Sequence, residues 1–286
     1  VVLFTASRWG AIGIALLGAV ATITAQTTTS RFSLHQSILE EGWKVTPAEA
    51  ARFESELAGD PGNLSLRTRL LSYYYQYMIK EPRLRHVVWL IENRPDAEVF
   101  LAASDITSVS QNWTGLNEAA GYQRVKALWL RQTERFPANA KVLANAAMAM
   151  NGPDSEVSLE LVKRARGVEP GNPEWTRWLA RIYQLAARSS FAGGFGNIRT
   201  FVGTPQDRDT LPPFSLPLAA CDALQRELAT STDAALVGAT GEALVRESRL
   251  LIRGPAASPE VVKSAAFGEN LLARARVLEP DNPRWR

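Results

Sequence analysis

Residues 163–178 read KRARGVEPGNPEWTRW, and residues 273–286 read ARARVLEPDNPRWR. Each phrase runs as a helix of small and apolar residues into a proline, Pro170 or Pro280, and reaches a second proline, Pro173 or Pro283, three residues later. A proline disfavours helical backbone in the residue before it, yet its fixed φ suits the first position of a new helix. The phrase is therefore a joint at which one helix stops and another starts. A chain that writes it twice is built from joined helices.

Working outward, the joints recur. Pro61 in AGDPGN, Pro95 in ENRPDA, Pro137 in ERFPAN and Pro170 lie 34, 42 and 33 residues apart, and Pro280 lies 110 beyond Pro170. TPAEAARFESELAGDPGN opens with Thr46 as N-cap, Pro47 at the first helical position and Glu49 at the third, and closes at Gly59 and Pro61. Strand signals are missing: apart from NIRTFVG, no run of β-branched residues alternates at period two. A step of about 34 residues is the length of a helix-turn-helix unit that stacks into a solenoid.

The positions within the units carry a resemblance. Ala165, Val168 and Pro170 end one unit, and Leu179, Ala180 and Tyr183 occupy the hydrophobic, small and aromatic places of the next first helix. Ser158, Val162 and Ala165 alternate small, bulky and small on a second helix. Gly268, Leu272, Ala275, Leu278 and Pro280 repeat that register, and Ala146, Ala147 and Met150 fit a first helix. In these places the chain resembles the tetratricopeptide repeats. Leu70 and Tyr74 fit as well, but bulky Leu71 replaces the small residue, so looser packing is expected there. Residues 97–115 and 189–258 depart from the pattern, which covers about half the chain.

The resemblance implies an all-α fold: a right-handed, irregular solenoid of antiparallel helix pairs over residues 46–286, interrupted by one long insertion at 189–217 and ending in a truncated unit after Pro280. The small residues would let paired helices approach closely. The family's first helices line a concave face that holds peptides. Carried over, that face has Ser65, Thr68 and Ser72 on one helix, Lys141, Ala144 and Met148 on another, and Glu174, Arg177, Arg181 and Gln184 on a third. Arg177 and Arg181 stand one helical turn apart, and paired guanidinium groups suit a carboxylate.

Composition excludes several chemistries. A net charge of +3 over 286 residues gives no field for nucleic acid, and Lys163 to Arg166 is a short cluster of the kind a solvated helix face carries. One cysteine, Cys221, rules out an internal disulfide framework, and its helix of Leu and Ala suits a buried inert thiol. With only His35 and His86, a histidine metal site is not expected. No cofactor is implied, and neither a GxSxG elbow, an SxxK pair nor an HExxH helix is present. GGFGN lacks the Lys and Ser/Thr of a phosphate loop.

At the N-terminus, Arg8 precedes an uncharged apolar run from Trp9 to about Ala21, with small residues at Ala19, Ala21 and Ala25. Residues 1–25 thus read as a secretory signal peptide or, if uncleaved, as an anchor of minimal length facing the protein outward. Residues 26–45 read as a linker with a short helix from Leu34 to Gly42. The expected setting is periplasmic or secreted, of a bacterial exported type.

Two functions remain from this reading. The first is an exported, non-catalytic interaction or assembly scaffold that binds a protein or peptide, an acidic one included, through Lys141, Arg177, Arg181 and Gln184. The second is an envelope-processing enzyme, or its accessory subunit, whose catalytic part lies outside this stretch or around 189–217. A second choice of partner site is the aromatic cluster from Tyr73 to Trp89, where Tyr73, Arg85, His86 and Trp89 could hold an anion or simply pack at a helix seam.

Overall fold

Thr46 shows how local chemistry fixes the first long helix. Its hydroxyl accepts the Glu49 backbone N–H at 3.3 Å while the Glu49 carboxylate accepts the Thr46 N–H at 2.9 Å, a reciprocal cap with Pro47 at the first turn. The computed structural model describes residues 34–109, 119–151, 154–192, 216–251 and 258–285, and every regular element among them is helical. The fold is all-α.

The described chain divides into two compact units between Gln76 and Tyr77, a boundary that the helical pattern leaves unmarked. The turn that follows holds Met78 at φ 54°, a left-handed conformation costly for a side chain with Cβ. The first unit contains α1 (residues 34–43), α2 (Pro47–Gly59) and α3 (Leu64–Gln76). The second begins with α4 (Lys80–Asn93), the short α5 (Val99–Ala102) and α6 (Ser104–Thr107), then α7 (Ala119–Arg135) and α8 (Ala140–Met150). It continues with α9 (Ser155–Val168), α10 (Pro173–Ala192), α11 (Leu218–Thr230), α12 (Ala234–Leu251), α13 (Pro259–Leu278) and a 3-10 turn, Pro283–Trp285.

The proline joints share one geometry. The residue before each proline donates its N–H back into the helix it ends: Asp60 to Glu56, Arg94 to Leu90, Phe136 to Gln132, Glu169 to Ala165 and Glu279 to Ala275, all at 2.8–3.0 Å. Its own carbonyl then accepts the N–H three residues on, from Asn63, Ala97, Asn139, Asn172 and Asn282, at 2.9–3.2 Å. At Asp60, Arg94, Glu169 and Glu279 the backbone sits at φ −126° to −142° and ψ 58° to 76°, outside the helical region, as a following proline demands. Asparagine then caps the next helix. Asn139 Oδ1 accepts from Lys141 and Val142 N–H at 3.1 and 3.2 Å, and Asn172 and Asn282 receive Glu174 and Arg284 N–H at 3.1 and 3.0 Å.

Ala97 replaces asparagine at one joint and offers no side-chain cap, and the carbonyls of that joint are held from α8 instead. Asn145 of α8, fully buried, donates its amide to the carbonyls of Pro95 and Ala97 at 2.8 and 3.1 Å. Where the repeat pattern lapses, buried Arg83 of α4 gathers the end of α6, donating to the carbonyls of Asp105, Ile106 and Ser108 at 2.8, 2.7 and 2.6 Å.

In the doubled phrase the joint is tightened by side chains. The Glu169 Oε2 accepts both the Asn172 amide and the Trp175 indole N–H at 3.0 Å. Glu279 Oε2 accepts the Asn282 amide at 2.6 Å and the Trp285 indole N–H at 3.0 Å. Both indoles are buried, so E-P-x-N-P-x-W is a clamp whose glutamate and tryptophan are as much part of the joint as its prolines.

Packing between joints uses small residues. Against α9, α8 buries Ala144 and Ala147, and the Ser158 hydroxyl of α9 donates to the Ala147 carbonyl at 2.8 Å. Ala165 and Ala180 are buried in the α9 and α10 register that the repeat pattern assigns. Backbone meets backbone between α12 and α13: a Cβ on Gly241 would lie 2.9 Å from the Gly268 carbonyl, and one on Gly268 would lie 3.1 Å from the Gly241 carbonyl. Trp285 seats directly on Gly238, where a Cβ would run into its ring. In the first unit Leu71 is fully buried, and the close contact moves to its neighbour: Ser72 abuts Gly42 and donates to the Leu39 carbonyl at 3.3 Å.

The boundary of the insertion also moves. Helix α10 runs through Ser189 and Ser190 to Ala192, because Ser190 is held by the Asp222 carboxylate of α11 and Ser189 is buried. Residues 193–215, with GGFGN and the proline pair, lie outside the described residues, as does the N-terminal stretch 1–33. Among the described residues no helix is long and apolar enough to cross a membrane. Cys221 is buried and its thiol is pushed up by that burial.

Two tests follow from the packing. Gly241→Ala should destabilise by ~1–3 kcal/mol, since backbone atoms of α13 would have to retreat. Gly167→Ala, in a helix with nothing within 4 Å of the new Cβ, should instead stabilise by ~0.5–1 kcal/mol. Urea midpoints of both variants against the parent check the pair. For the second clamp, the Trp285 and Asn282 donors hold the Glu279 carboxyl below its usual range. A depressed folded pKa adds stability that is complete above the unfolded value of about 4.3 and lost as pH falls through the lower folded one. Trp285→Phe should therefore lose more stability at pH 7 than at pH 3, measured by the same denaturation.

Candidate functional site

Helix α10 carries three of the four first-choice partner residues, and the clamp sets which way they turn. With Trp175 bound to Glu169, the buried side of the helix is Trp175, Thr176, Leu179, Ala180, Ile182 and Tyr183. That phase leaves Arg177 exposed and Arg181 half-buried, one turn apart. Arg177 Nε faces the Pro173 carbonyl at 3.4 Å, and Arg181 Nη1 donates to Gln184 Oε1 at 2.8 Å.

Gln184 turns inward. It is 3% exposed, and its amide donates to Glu247 Oε2 at 2.7 Å and to the Ala243 carbonyl at 3.2 Å, both on α12. The other Glu247 oxygen pairs with Arg188, one further turn along α10, in an ion pair whose side chains are 11% and 5% exposed. The result is a connected chain from the half-buried Arg181 through Gln184 to the buried Glu247 carboxylate, with Arg188 on its far side. Burial lifts the Glu247 carboxyl above its ordinary range, against the pull of Arg188, Arg181, Gln184 and Arg246.

The opposite flank of α10 is tied down. The Tyr183 hydroxyl donates to Glu227 Oε1 of α11 at 2.7 Å, and Lys163 of α9 pairs with the same oxygen at 3.3 Å. Burial and the neighbouring Glu227 push the Tyr183 hydroxyl far up, so it stays protonated. Arg166 of α9 holds Asp233 just ahead of α12, where burial is outweighed by Arg166 and backbone N–H groups and the carboxyl is lowered. A comparable knot joins α7 to the start of α9. There Asp154 accepts Tyr122 and, at 2.7 Å, Lys126, whose hydrogen bonds outweigh its burial and lower its carboxyl.

The remaining sequence-derived residues are dispersed. Lys141 is exposed at the start of α8, a helix that packs on α7 and α9. Ser72 and Ala144, carried over as groove positions, are fully buried, Ser72 in the close contact with Gly42, while Ser65 is exposed and Thr68 and Met148 are half-buried. Of the second choice, Tyr73 lies on α3 in the first unit and is buried. Arg85, His86 and Trp89 lie on α4 in the second, exposed, buried and half-buried in turn. Among the described residues no group of three His, Cys, Asp or Glu converges as a metal site would require.

Sequence reasoning passed over Arg188 and Glu247, which look like ordinary solvated charges in QLAARSS and LVRESRLL. A signal was present. Thr240, Leu244, Glu247 and Ser248 recur at the spacing of one helix face, and all four are buried, so the glutamate stood on the core side of α12. Because breaking a buried pair leaves an uncompensated charge, Arg188→Met should cost ~3–5 kcal/mol at neutral pH. The loss should shrink in acid, where Glu247 takes up a proton, and should be largely recovered in Arg188→Met/Glu247→Leu. Urea denaturation at pH 7 and pH 5 checks both.

No family model, curated protein or solved structure matches the chain, so its function is argued from the residues of α10 and the helices around it.

Proposed function

We propose that the chain is an exported, non-catalytic interaction module, a right-handed solenoid of tetratricopeptide-like antiparallel helix pairs, and that it holds an acidic protein or peptide segment along α10. Support for the architecture comes from the shared proline joints and from the small-residue contacts of α8 with α9 and α12 with α13. Support for export comes from the basic, apolar and small-residue order of residues 1–25. The observation that carries the binding role is the arginine row, Arg177 exposed and Arg181 half-buried one turn apart. A carboxylate matches a guanidinium in shape and charge, and a row at helical spacing suits successive acidic side chains of an extended or helical segment.

The test uses the full chain and a fluorescent peptide of alternating Glu and Ala. Binding should weaken as salt rises, since exposed charges are screened beyond ~8 Å at physiological ionic strength. Arg177→Ala/Arg181→Ala should reduce affinity by at most ~1.5–3 kcal/mol, the range for hydrogen bonds to charged groups, lowered by exposure. Its circular dichroism should match the parent. Affinity that survives both high salt and the double substitution would refute the α10 reading.

A further inference from the structure

We propose that Arg246 of α12 is a further partner-binding residue, so that the acidic segment crosses from α10 onto α12 instead of running along α10 alone. This rests on the reading of α10 as the partner face. It deepens that reading by naming a second helix and the path between the two.

The seam between the helices supplies the connection. Gln184 donates to the Ala243 carbonyl at 3.2 Å and to Glu247 Oε2 at 2.7 Å, so residues 243 and 247 mark the side of α12 that meets α10. Arg188, one turn further along α10, pairs with Glu247 as well. Arg246 stands between Ala243 and Glu247 in the chain, at the solvent edge of that side: Ala243 is half-buried and Arg246 exposed. The Glu247 carboxylate on the floor of the seam is attracted by Arg188 and Arg181 from α10 and by Arg246 from its own helix. Guanidinium groups of both helices thus gather around one point.

The neighbouring charges are already engaged. Glu247 gives one oxygen to Arg188 and the other to Gln184. Glu242, one turn before Arg246, is held by Arg284 at 2.7 Å. Arg249 reaches away from the seam, towards Glu269 of α13 at 4.0 Å. Arg181 is bonded to Gln184 and Arg188 to Glu247, so the exposed cations that a partner meets first are Arg177 and Arg246, one from each helix. Arg246 makes no hydrogen bond or ion pair among the described residues.

Their separation sets the chemistry of the segment. Arg246 lies level with Gln184, seven residues after Arg177, which is ~10 Å along a helix axis at ~1.5 Å per residue. Packed helix axes lie ~8–10 Å apart, so the diagonal is ~14 Å, which an extended chain covers in about four residues. An extended segment with acidic residues four apart therefore reaches both helices, whereas the same spacing within a helix spans only ~6 Å.

The experiment uses the full chain and the fluorescent peptide of alternating Glu and Ala, with dissociation constants from anisotropy at physiological ionic strength. Arg246→Ala should weaken binding about 3- to 10-fold, the effect of a charge-assisted contact reduced by exposure. Arg249→Ala, which removes the same charge from the same helix, should change affinity less than ~2-fold, because distant exposed charges are screened. An unchanged affinity in Arg246→Ala, with Arg177→Ala/Arg181→Ala still weakening, overturns the crossing and leaves the α10 reading in place. Equal losses in Arg246→Ala and Arg249→Ala also overturn it, since the peptide would then sense only a general field. Binding that ignores Arg177→Ala/Arg181→Ala overturns the α10 reading and the crossing with it, as does no binding at all. Should Arg246→Ala shift the urea midpoint, the parent decides the matter with a peptide carrying an arginine-directed dicarbonyl beside one Glu. Adducts mapped by mass spectrometry to both Arg177 and Arg246 support the crossing, and adducts confined to α10 end it.

Discussion

A proline disfavours helical backbone in the residue before it, and the joints between the long helices are organised around that restriction. At Asp60, Arg94, Glu169 and Glu279 the backbone is driven out of the helical region in almost the same way. The residue at the break donates its N–H to the carbonyl four residues back, and its own carbonyl receives the N–H that opens the next turn. One steric rule thus terminates a helix, satisfies polar groups that would otherwise be left without partners, and sets where the next helix begins. The clamps of Glu169 with Trp175 and Glu279 with Trp285 add rotational phase. A buried indole bound to the preceding glutamate fixes which face of the new helix turns inward.

Phase matters because the helices meet through small side chains. Where α12 crosses α13, two glycines bring backbone against backbone, and Trp285 lies on a third. Where α8 meets α9, alanines and a serine do the same work, with the serine hydroxyl adding a hydrogen bond to a helix carbonyl. Such contacts gain dispersion from close approach but are intolerant of rotation. A joint that let the next helix turn by a few tens of degrees would put Leu or Tyr where Gly or Ala is required. Joint and contact are therefore one device: the first makes the second possible.

This device was legible in the sequence because both halves of it are local. Prolines announce the breaks, Thr46 to Glu49 announces a cap, and Ala165, Ala180 and Gly268 stand at fixed offsets from the joints. What the sequence hid were the long-range substitutes. Nothing in the text of α8 says that Asn145 will serve the joint at Pro95, fifty residues away, or that Arg83 will collect three carbonyls at the end of α6. The close contact in the first unit sits one residue from where the repeat pattern looks, because Gly42, ahead of the repeats, supplies the space for Ser72. The site divides in the same way. Arg177 and Arg181 share a face, as helical spacing requires, whereas Gln184 turns inward to a carboxylate 63 residues along the chain.

That carboxylate is the least economical feature of the protein. A buried ion pair is weak evidence for stability, since the cost of removing two charges from water offsets most of their attraction, and well-packed apolar residues of the same volume commonly serve as well. Structural demand is met nearby without it. Tyr183 and Glu227 already tie α10 to α11, and Arg166 with Asp233 anchors the approach to α12 from a more exposed position. Glu247 instead pairs with Arg188 and is connected through the single amide of Gln184 to Arg181 at the edge of solvent. A fold needing only cohesion between α10 and α12 would gain more from leucine there. What leucine could not do is accept the Gln184 amide and pair with Arg188, so the glutamate decides which way those two side chains of α10 turn.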